Sequence, residues 1–386
     1  DDRVESMMTK QSGVKDIFSP DLYQSVRLPC TQAETLPTWC YTSEEWYQRE
    51  LEKIFLPAWH FVGRLEQIPN PGDYLTESFF GKSMIIIRGK DHHIRAFYNS
   101  CQHRGSKLLT DKGNCKFIQC KYHNWTYKLD GTLNGTPYMG KVENFNKCDY
   151  GFDTIRCEAI EGLIFITFNN SAPNLEDYLG DYSTLVAKPY RLMDMVCVRE
   201  KEYKLKSNWK FYVEVDMETI HTPNIHKNSI GVQHVERPAT RGEWVCVYHE
   251  SEETVALHPG KRHLGFPHIQ GLTGQAAKGT FFSILYPGFF IVSTQDSMWW
   301  IYKIPEGPEE TRVKVGFCFP HLTVERNDFE EVAQRYYARW DQVIEEDNWI
   351  TEFQQEVIRS SRPGRYSHKE FVVHEVDNWI LDKVLD

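Results

Sequence analysis

Cys101-Gln102-His103 and Cys120-Lys121-Tyr122-His123-Asn124-Trp125-Thr126-Tyr127 are the stretches on which the reading of this chain turns. Sixteen residues separate the two Cys/His pairs. Each pair lies near turn formers, Gly105-Ser106 after the first and Asp130-Gly131 after the second. Two loops that each present a thiol and an imidazole suit a binuclear iron–sulfur cluster, with thiolates on one iron and imidazoles on the other. Neutral imidazoles make such a cluster less negative and raise its potential. Two other readings compete. A Cys2His2 zinc site uses the same residue types, although zinc fingers group Cys with Cys and His with His. The other is chance, four ordinary residues in two loops.

Around these loops, residues 60–170 read as short strands. Met84–Arg88 and Ile94–Asn99 flank the turn Gly89-Lys90-Asp91, and Leu163–Phe168 is another strand. Ahead of them, Trp46, Tyr47, Leu51, Ile54 and Phe55 recur at helical spacing. Thr42 with Glu45 forms a capping box, and Pro57 stops the run. Beyond Tyr203 the pattern is mixed. Trp209–His221 has helical spacing, while Phe281–Leu285, Phe289–Ser293 and Trp299–Ile304 read as strands. Val313, Val315, Phe317 and Phe319 alternate in a further strand. Asp328 to about Arg359 reads as one long helix with Phe329, Val332, Tyr336, Trp340 and Val343 on one side. The expected class is α+β, with an N-terminal all-β domain inserted before or into a domain of antiparallel sheet flanked by helices. The expected division is a helical segment over 1–59 that packs on the catalytic domain, a β domain over 60–170 and the catalytic domain over 171–386.

A chain of 386 residues is long for one core and predicts about two domains. No apolar run is long enough to span a bilayer, and Asp1–Asp16 lacks the apolar centre of a secretory signal. A cytoplasmic location without a membrane partner is expected, although a removed transit peptide would leave no trace. The net charge of −10 argues against nucleic acid as a partner, since phosphate contacts need surplus Lys and Arg. Ten cysteines in a chain this long do not make a disulfide scaffold. Most, such as Cys197 and Cys246, read as free thiols.

A second constellation follows Asn208-Trp209-Lys210: Glu214, Asp216, Glu218, His221 and His226. Glu218 and His221, three apart, are expected on one helix face. Pro223 restricts Thr222, so the helix should end near His221 and the chain fold back to present His226. Two histidines and a carboxylate make the facial triad of non-heme Fe(II) oxygenases. A lone histidine is more often a hydrogen-bonded structural residue. The acids alone read equally as a solvated helix face. Asp341, Glu345, Glu346 and Asp347 all compete for the third place.

C-x-H and C-x-x-H, with Trp125, Tyr127 and Asp130-Gly131 after them, resemble the Rieske domain. N-W-K…E…E-x-x-H-x4-H resembles the signature of Rieske non-heme iron oxygenase large subunits, and the resemblance runs from about Thr42 to Trp379. It implies a 2Fe-2S cluster on Cys101, His103, Cys120 and His123, and a mononuclear Fe(II) on His221, His226 and Asp347. Asp347 is chosen because it stands seven residues before Gln354. No other cofactor-binding residue is implied. The family usually has Gly where Asn124 stands, and Asn also accepts positive φ. Respiratory Rieske proteins carry a disulfide at the places of Ser106 and Tyr122, so this cluster resembles the oxygenase type. Glu218 holds the place of the acid that bridges the iron's histidine to a cluster histidine of the neighbouring subunit, a catalytic role. Most members have Asp there, and a Glu resembles the branch acting on carnitine- and choline-type quaternary ammonium compounds.

The resemblance implies a terminal oxygenase, working as a head-to-tail homotrimer on O2 and a small organic substrate. Electrons would come from NAD(P)H through a flavin-containing reductase or a ferredoxin. Monooxygenation of a quaternary ammonium compound with C–N cleavage is one expectation, and hydroxylation of an aromatic acid is the alternative. Tyr212, Phe281, Phe282, Tyr286, Phe289, Phe290, Trp299, Trp300 and Tyr302 could cage an ammonium group or fill the core. A Rieske electron carrier would be a single small domain, and a zinc-stabilised binding protein would be colourless rather than red-brown.

Overall fold

The structure is a computed structural model and describes residues 16–386. Residues 1–15, part of the expected N-terminal segment 1–59, lie outside the described residues.

Among the described residues the first α-helix, α1 (Glu44–Glu50), follows three short 3-10 turns and runs into a π-turn at Leu51–Phe55. Trp46, Ile54 and Phe55 are buried as their spacing predicts. The cap differs from the expectation. Ser43 accepts the Trp46 N–H at 3.2 Å, and the Thr42–Glu45 box does not form. Thr42 instead closes the preceding 3-10 turn, Thr38–Tyr41, by donating its N–H to the Trp39 carbonyl.

The first sheet has seven antiparallel strands, in the order Trp59–Arg64, Leu163–Thr167, Thr154–Ile160, Ile94–Tyr98, Lys82–Arg88, Asp73–Phe79 and Lys112–Asn114. Beside it lies a three-stranded sheet of Ile118–Gln119, Thr126–Tyr127 and Leu133–Gly135. The two share a small core in which Ile85, Ile87 and Phe97 meet Cys101, Cys120, Trp125 and Tyr127.

The second sheet also has seven antiparallel strands, in the order Met195–Leu205, Glu310–Pro320, Met298–Gly307, Phe289–Ser293, Gly279–Leu285, Trp244–Glu250 and Val235–Glu236. Its side chains alternate between two buried faces. Phe282, Phe290, Val292, Trp299 and Ile301 face one core; Phe281, Phe289, Ile291, Trp300 and Tyr302 face the other. Helices α2 (Trp209–Asp216), α3 (Phe329–Val357) and α4 (Phe371–Leu385) cover the first face. The first sheet covers the second face: the Phe61 ring lies 4.4 Å from Phe289 and 4.8 Å from Trp300. Arg64 fastens this junction by donating to the Leu192 and Met195 carbonyls. The architecture is thus the expected α+β arrangement of a β-rich domain and a helix-flanked antiparallel sheet.

Helix α3 has the expected extent, with Phe329, Val332, Tyr336, Trp340 and Val343 all buried. Helix α2 is shorter than expected. It ends at Asp216, with Met217 as its cap, so Glu218 and His221 do not share a helix face. The cause is Glu218 itself. Its Oε2 accepts the N–H groups of Ile220 at 2.6 Å and His221 at 3.1 Å, in place of the helical ladder. Among the described residues no helix is long and apolar enough to cross a membrane.

Candidate metal centres

The two Cys/His loops are tight turns. Gly105 returns its N–H to the Cys101 carbonyl at 2.8 Å, and Asn124 returns its own to the Cys120 carbonyl at 3.0 Å. Asn124 has φ of 60°, the conformation for which Asn substitutes best for Gly. Gly131, at φ +93°, has no such latitude, since a Cβ there would meet the Phe97 ring at 2.7 Å. The Cys101 and Cys120 thiols are buried, while His103 and His123 are half-exposed, their rings 4.7 Å apart. Trp125 stacks on His103 at 4.7 Å. Tyr127 donates to or accepts from Cys101 Sγ at 3.2 Å and accepts the Gln102 N–H at 2.9 Å. His103 Nδ1 is buried without a partner, as a metal-ligating nitrogen should be.

This placement opposes the zinc reading. Ligands of one tetrahedral zinc lie about 3–4 Å apart. Among the described residues, no three of these four bring their ligand atoms within 4.8 Å of one another. Buried thiols on one side and half-exposed imidazoles on the other fit a binuclear cluster.

His221, His226 and Asp347 are the one set among the described residues that does converge to within 4.8 Å. Asp347 Oδ1 lies 2.9 Å from His226 Nε2 and 3.6 Å from His221 Nε2. It is buried and makes no hydrogen bond, so the three atoms point at a common position rather than at each other. The far nitrogens are held. Glu218 Oε1 is 2.7 Å from His221 Nδ1, and Glu346 Oε2 is 3.0 Å from His226 Nδ1 and accepts from Ser229 Oγ at 3.2 Å. Carboxylates behind both imidazoles fix the tautomers that leave Nε2 free for a metal. Burial pushes the Asp347 carboxyl up, but the His226 and His221 imidazoles outweigh it and hold the group well below the usual range. Burial likewise pushes His221 down, and Asp347 with Glu218 outweighs it, raising the imidazole to about 10.

Of the four acids competing for the third place, only Asp347 joins the histidines. Asp341 is tied to Arg199 at 2.8 Å and Lys201 at 3.0 Å, and Glu346 supports His226. Glu345 joins no such group among the described residues. The role of Glu346 has no signal in the sequence.

Beside the three residues lies a narrow cavity of about 50 Å³, lined by Phe282, Phe290, Trp299, Trp340, Val343 and Arg339 among others. Of the aromatic residues expected to form a cage, Phe281, Phe289, Trp300 and Tyr302 point to the opposite face of the sheet. Trp340 lines the cavity from α3 and was not among them.

A Rieske [2Fe-2S] domain model matches residues 58–146, and a model of the ring hydroxylating alpha subunit (catalytic domain) matches residues 192–386, just over half of the chain. Together with the two centres, these matches define an alpha subunit that joins a Rieske iron–sulfur domain to a ring-hydroxylating catalytic domain. The chain belongs to the ring-hydroxylating alpha-subunit family. Its cofactors are accordingly a Rieske 2Fe-2S cluster and a mononuclear iron. The chain is 33% identical over 241 residues to a carnitine monooxygenase oxygenase subunit of Acinetobacter baumannii, a match covering 59% of this chain and 63% of that protein. It thus spans less than two thirds of that relative's length. It is 27% identical over 387 residues to a glycine betaine monooxygenase oxygenase subunit of Chromohalobacter salexigens, covering 91% and 86%. The crystal structure of the quaternary ammonium Rieske monooxygenase CntA with L-carnitine superposes with a TM-score of 0.78 at 25% identity, covering 94% of this chain and 98% of that one.

Proposed function

We propose that this chain is the terminal oxygenase of a Rieske system that hydroxylates a quaternary ammonium compound, with C–N cleavage as the outcome. The observation that carries it is the convergence of His221, His226 and Asp347 in a chain that also bears the paired Cys/His loops. Cys101, His103, Cys120 and His123 would hold the 2Fe-2S cluster, and His221, His226 and Asp347 the iron. The working division remains 1–59, 60–170 and 171–386. When bound, the cluster supplies single electrons and the iron supplies O2 activation.

The chain's own residues do the rest. Glu218 and Glu346 orient the imidazoles, three protein ligands leave the remaining positions open, and the apolar lining keeps water from the reacting carbon. Glu218 stands between the narrow cavity and an open one of about 480 Å³ that also exposes His221. That position suits a catalytic bridge to a histidine arriving from outside. Within one chain, the cluster-bearing β domain and the iron residues lie on opposite faces of the second sheet. A neighbouring copy's cluster is the natural donor, which supports the head-to-tail homotrimer. Trp349, Phe353 and Val357, spaced one turn apart on α3, are 49%, 48% and 58% exposed, and Val357 lines the open cavity. They offer an apolar surface to that copy. A flavin-containing reductase or ferredoxin would supply electrons, in the cytoplasm.

Glu218 and the carnitine and glycine betaine relatives support an ammonium substrate. The test is O2 consumption and product analysis with a generic reductase and carnitine, glycine betaine, choline or benzoate. Coupled turnover of an ammonium compound is expected. Turnover of benzoate alone would give the site to aromatic acids, and reduction of the cluster without any product would leave an electron carrier.

A further inference from the structure

Arg339 sits on α3 two helical turns before Asp347, with Val343 between them, so all three share one face. It lines the narrow cavity and is 2% exposed. Among the described residues its guanidinium has no ion pair and no hydrogen bond, and its Nε is buried without a partner. Buried cations are ordinarily paired, and those nearby obey the rule. Lys303 is paired with Asp216, and Lys210 with Glu50. The carboxylates that Arg339 feels, Asp347 and Glu346, form no ion pair with it and lie against His226. Its other charged neighbour is a second cation, Arg262, whose Nε is also buried and unpartnered. Burial first, and then Arg262, lower Arg339 to about 9. A buried guanidinium that lines the cavity without a hydrogen bond or ion pair of its own, with a second cation within its electrostatic reach, describes a site completed by an anion.

The aromatic rings point the same way. Lys303 lies 4.9 Å from the Phe290 centroid and 5.1 Å from Tyr212, and Arg339 lies 5.3 Å from Trp299. Two of the cavity's rings, Phe290 and Trp299, thus already carry one of the protein's own cations.

We infer that Arg339 reads the anionic end of the substrate, so that the cavity selects a carboxylate-bearing small molecule over its neutral-ended analogue. This rests on the cavity being the substrate site, as proposed above. A zwitterionic ammonium carboxylate satisfies Arg339. A substrate that is only a cation places like charges together in a desolvated site.

The test uses the cluster- and iron-loaded enzyme, its metal content checked, as wild type, Arg339→Met and Arg339→Lys. Binding is measured calorimetrically, and turnover with a reductase, for two matched pairs: glycine betaine against choline, and benzoate against benzyl alcohol. In one pair the acid should bind at least about tenfold tighter than the alcohol, the worth of one charge-assisted hydrogen bond. The preference should collapse in Arg339→Met and partly return in Arg339→Lys. Arg339-dependent preference confined to the benzoate pair would keep this inference and remove the ammonium reading. Choline binding and turning over as well as glycine betaine, or an acid preference that survives Arg339→Met, would overturn the inference and leave that reading intact. Failure of both acids to bind wild type would also overturn it.

Discussion

Glu346 and Asp347 are neighbours on one helix, yet they point to different partners, because consecutive helical residues are rotated by about 100°. Spacing alone does not choose between them, and in the sequence only the resemblance points to Asp347. The packing of α3 decides: Asp347 faces both Nε2 atoms, and Glu346 faces His226 Nδ1. Glu346→Gln should therefore weaken iron binding about 10–100-fold while leaving the visible cluster spectrum unchanged. Chelator competition measures this, and an unaltered iron affinity would remove Glu346 from the site. At the cluster, the Tyr127 hydroxyl lies 3.2 Å from Cys101 Sγ. Hydrogen bonds to cluster sulfur raise the potential, so Tyr127→Phe should lower it in a redox titration. An unchanged potential would show that the hydroxyl serves only the Gln102 N–H. The paired Cys/His loops are visible in the sequence, since two short-range pairs need no tertiary contact to be seen, and their role as cluster ligands rests on the resemblance. Arg339 was invisible, because its meaning lies in the partners it lacks.

Elements with strong periodicity were legible, and those set by a side chain's local hydrogen bonds were not. Helix α3 and the strands around Phe281–Phe319 follow their patterns. The end of α2 and the cap of α1 depend on which hydroxyl or carboxylate reaches a backbone N–H, and there Glu218 and Ser43 decide. Alternation correctly separates Phe281 from Phe282, but it cannot say which face meets the iron residues. The strand Trp59–Arg64 carries a further consequence. His60 is fully buried, with Nε2 2.5 Å from the Phe55 carbonyl oxygen and Nδ1 on the Tyr302 hydroxyl. Burial lowers it from 6.5 to about 4, against a raising hydrogen bond to Phe55. Because the folded value lies below the unfolded one, protons favour the unfolded chain. This contribution to stability is complete above about pH 6.5 and is lost as pH falls toward 4. Between pH 7.5 and 5 the loss is about 2 kcal/mol. Urea unfolding at both values should show it, and His60→Phe should shrink the difference by about that amount. Equal pH sensitivity in variant and wild type would contradict the assignment.

At the scale of the whole molecule, the second sheet separates the cluster domain from the iron residues. On the reading proposed above, electrons cross a boundary between copies through Glu218. Glu218→Gln should keep colour and iron, and its cluster should still accept electrons, but re-oxidation by O2 with substrate present should slow steeply. Wild-type re-oxidation would show another route. The most direct measurement combines two damaged copies. Cys120→Ala should remove the cluster and Asp347→Ala the iron, so each variant alone should form no product. Co-expressed in mixed oligomers, an intact cluster on one copy faces an intact iron on the next, and product formation should return. Mixed oligomers as inactive as either parent, with each parent lacking only its own metal, would contradict electron transfer between copies.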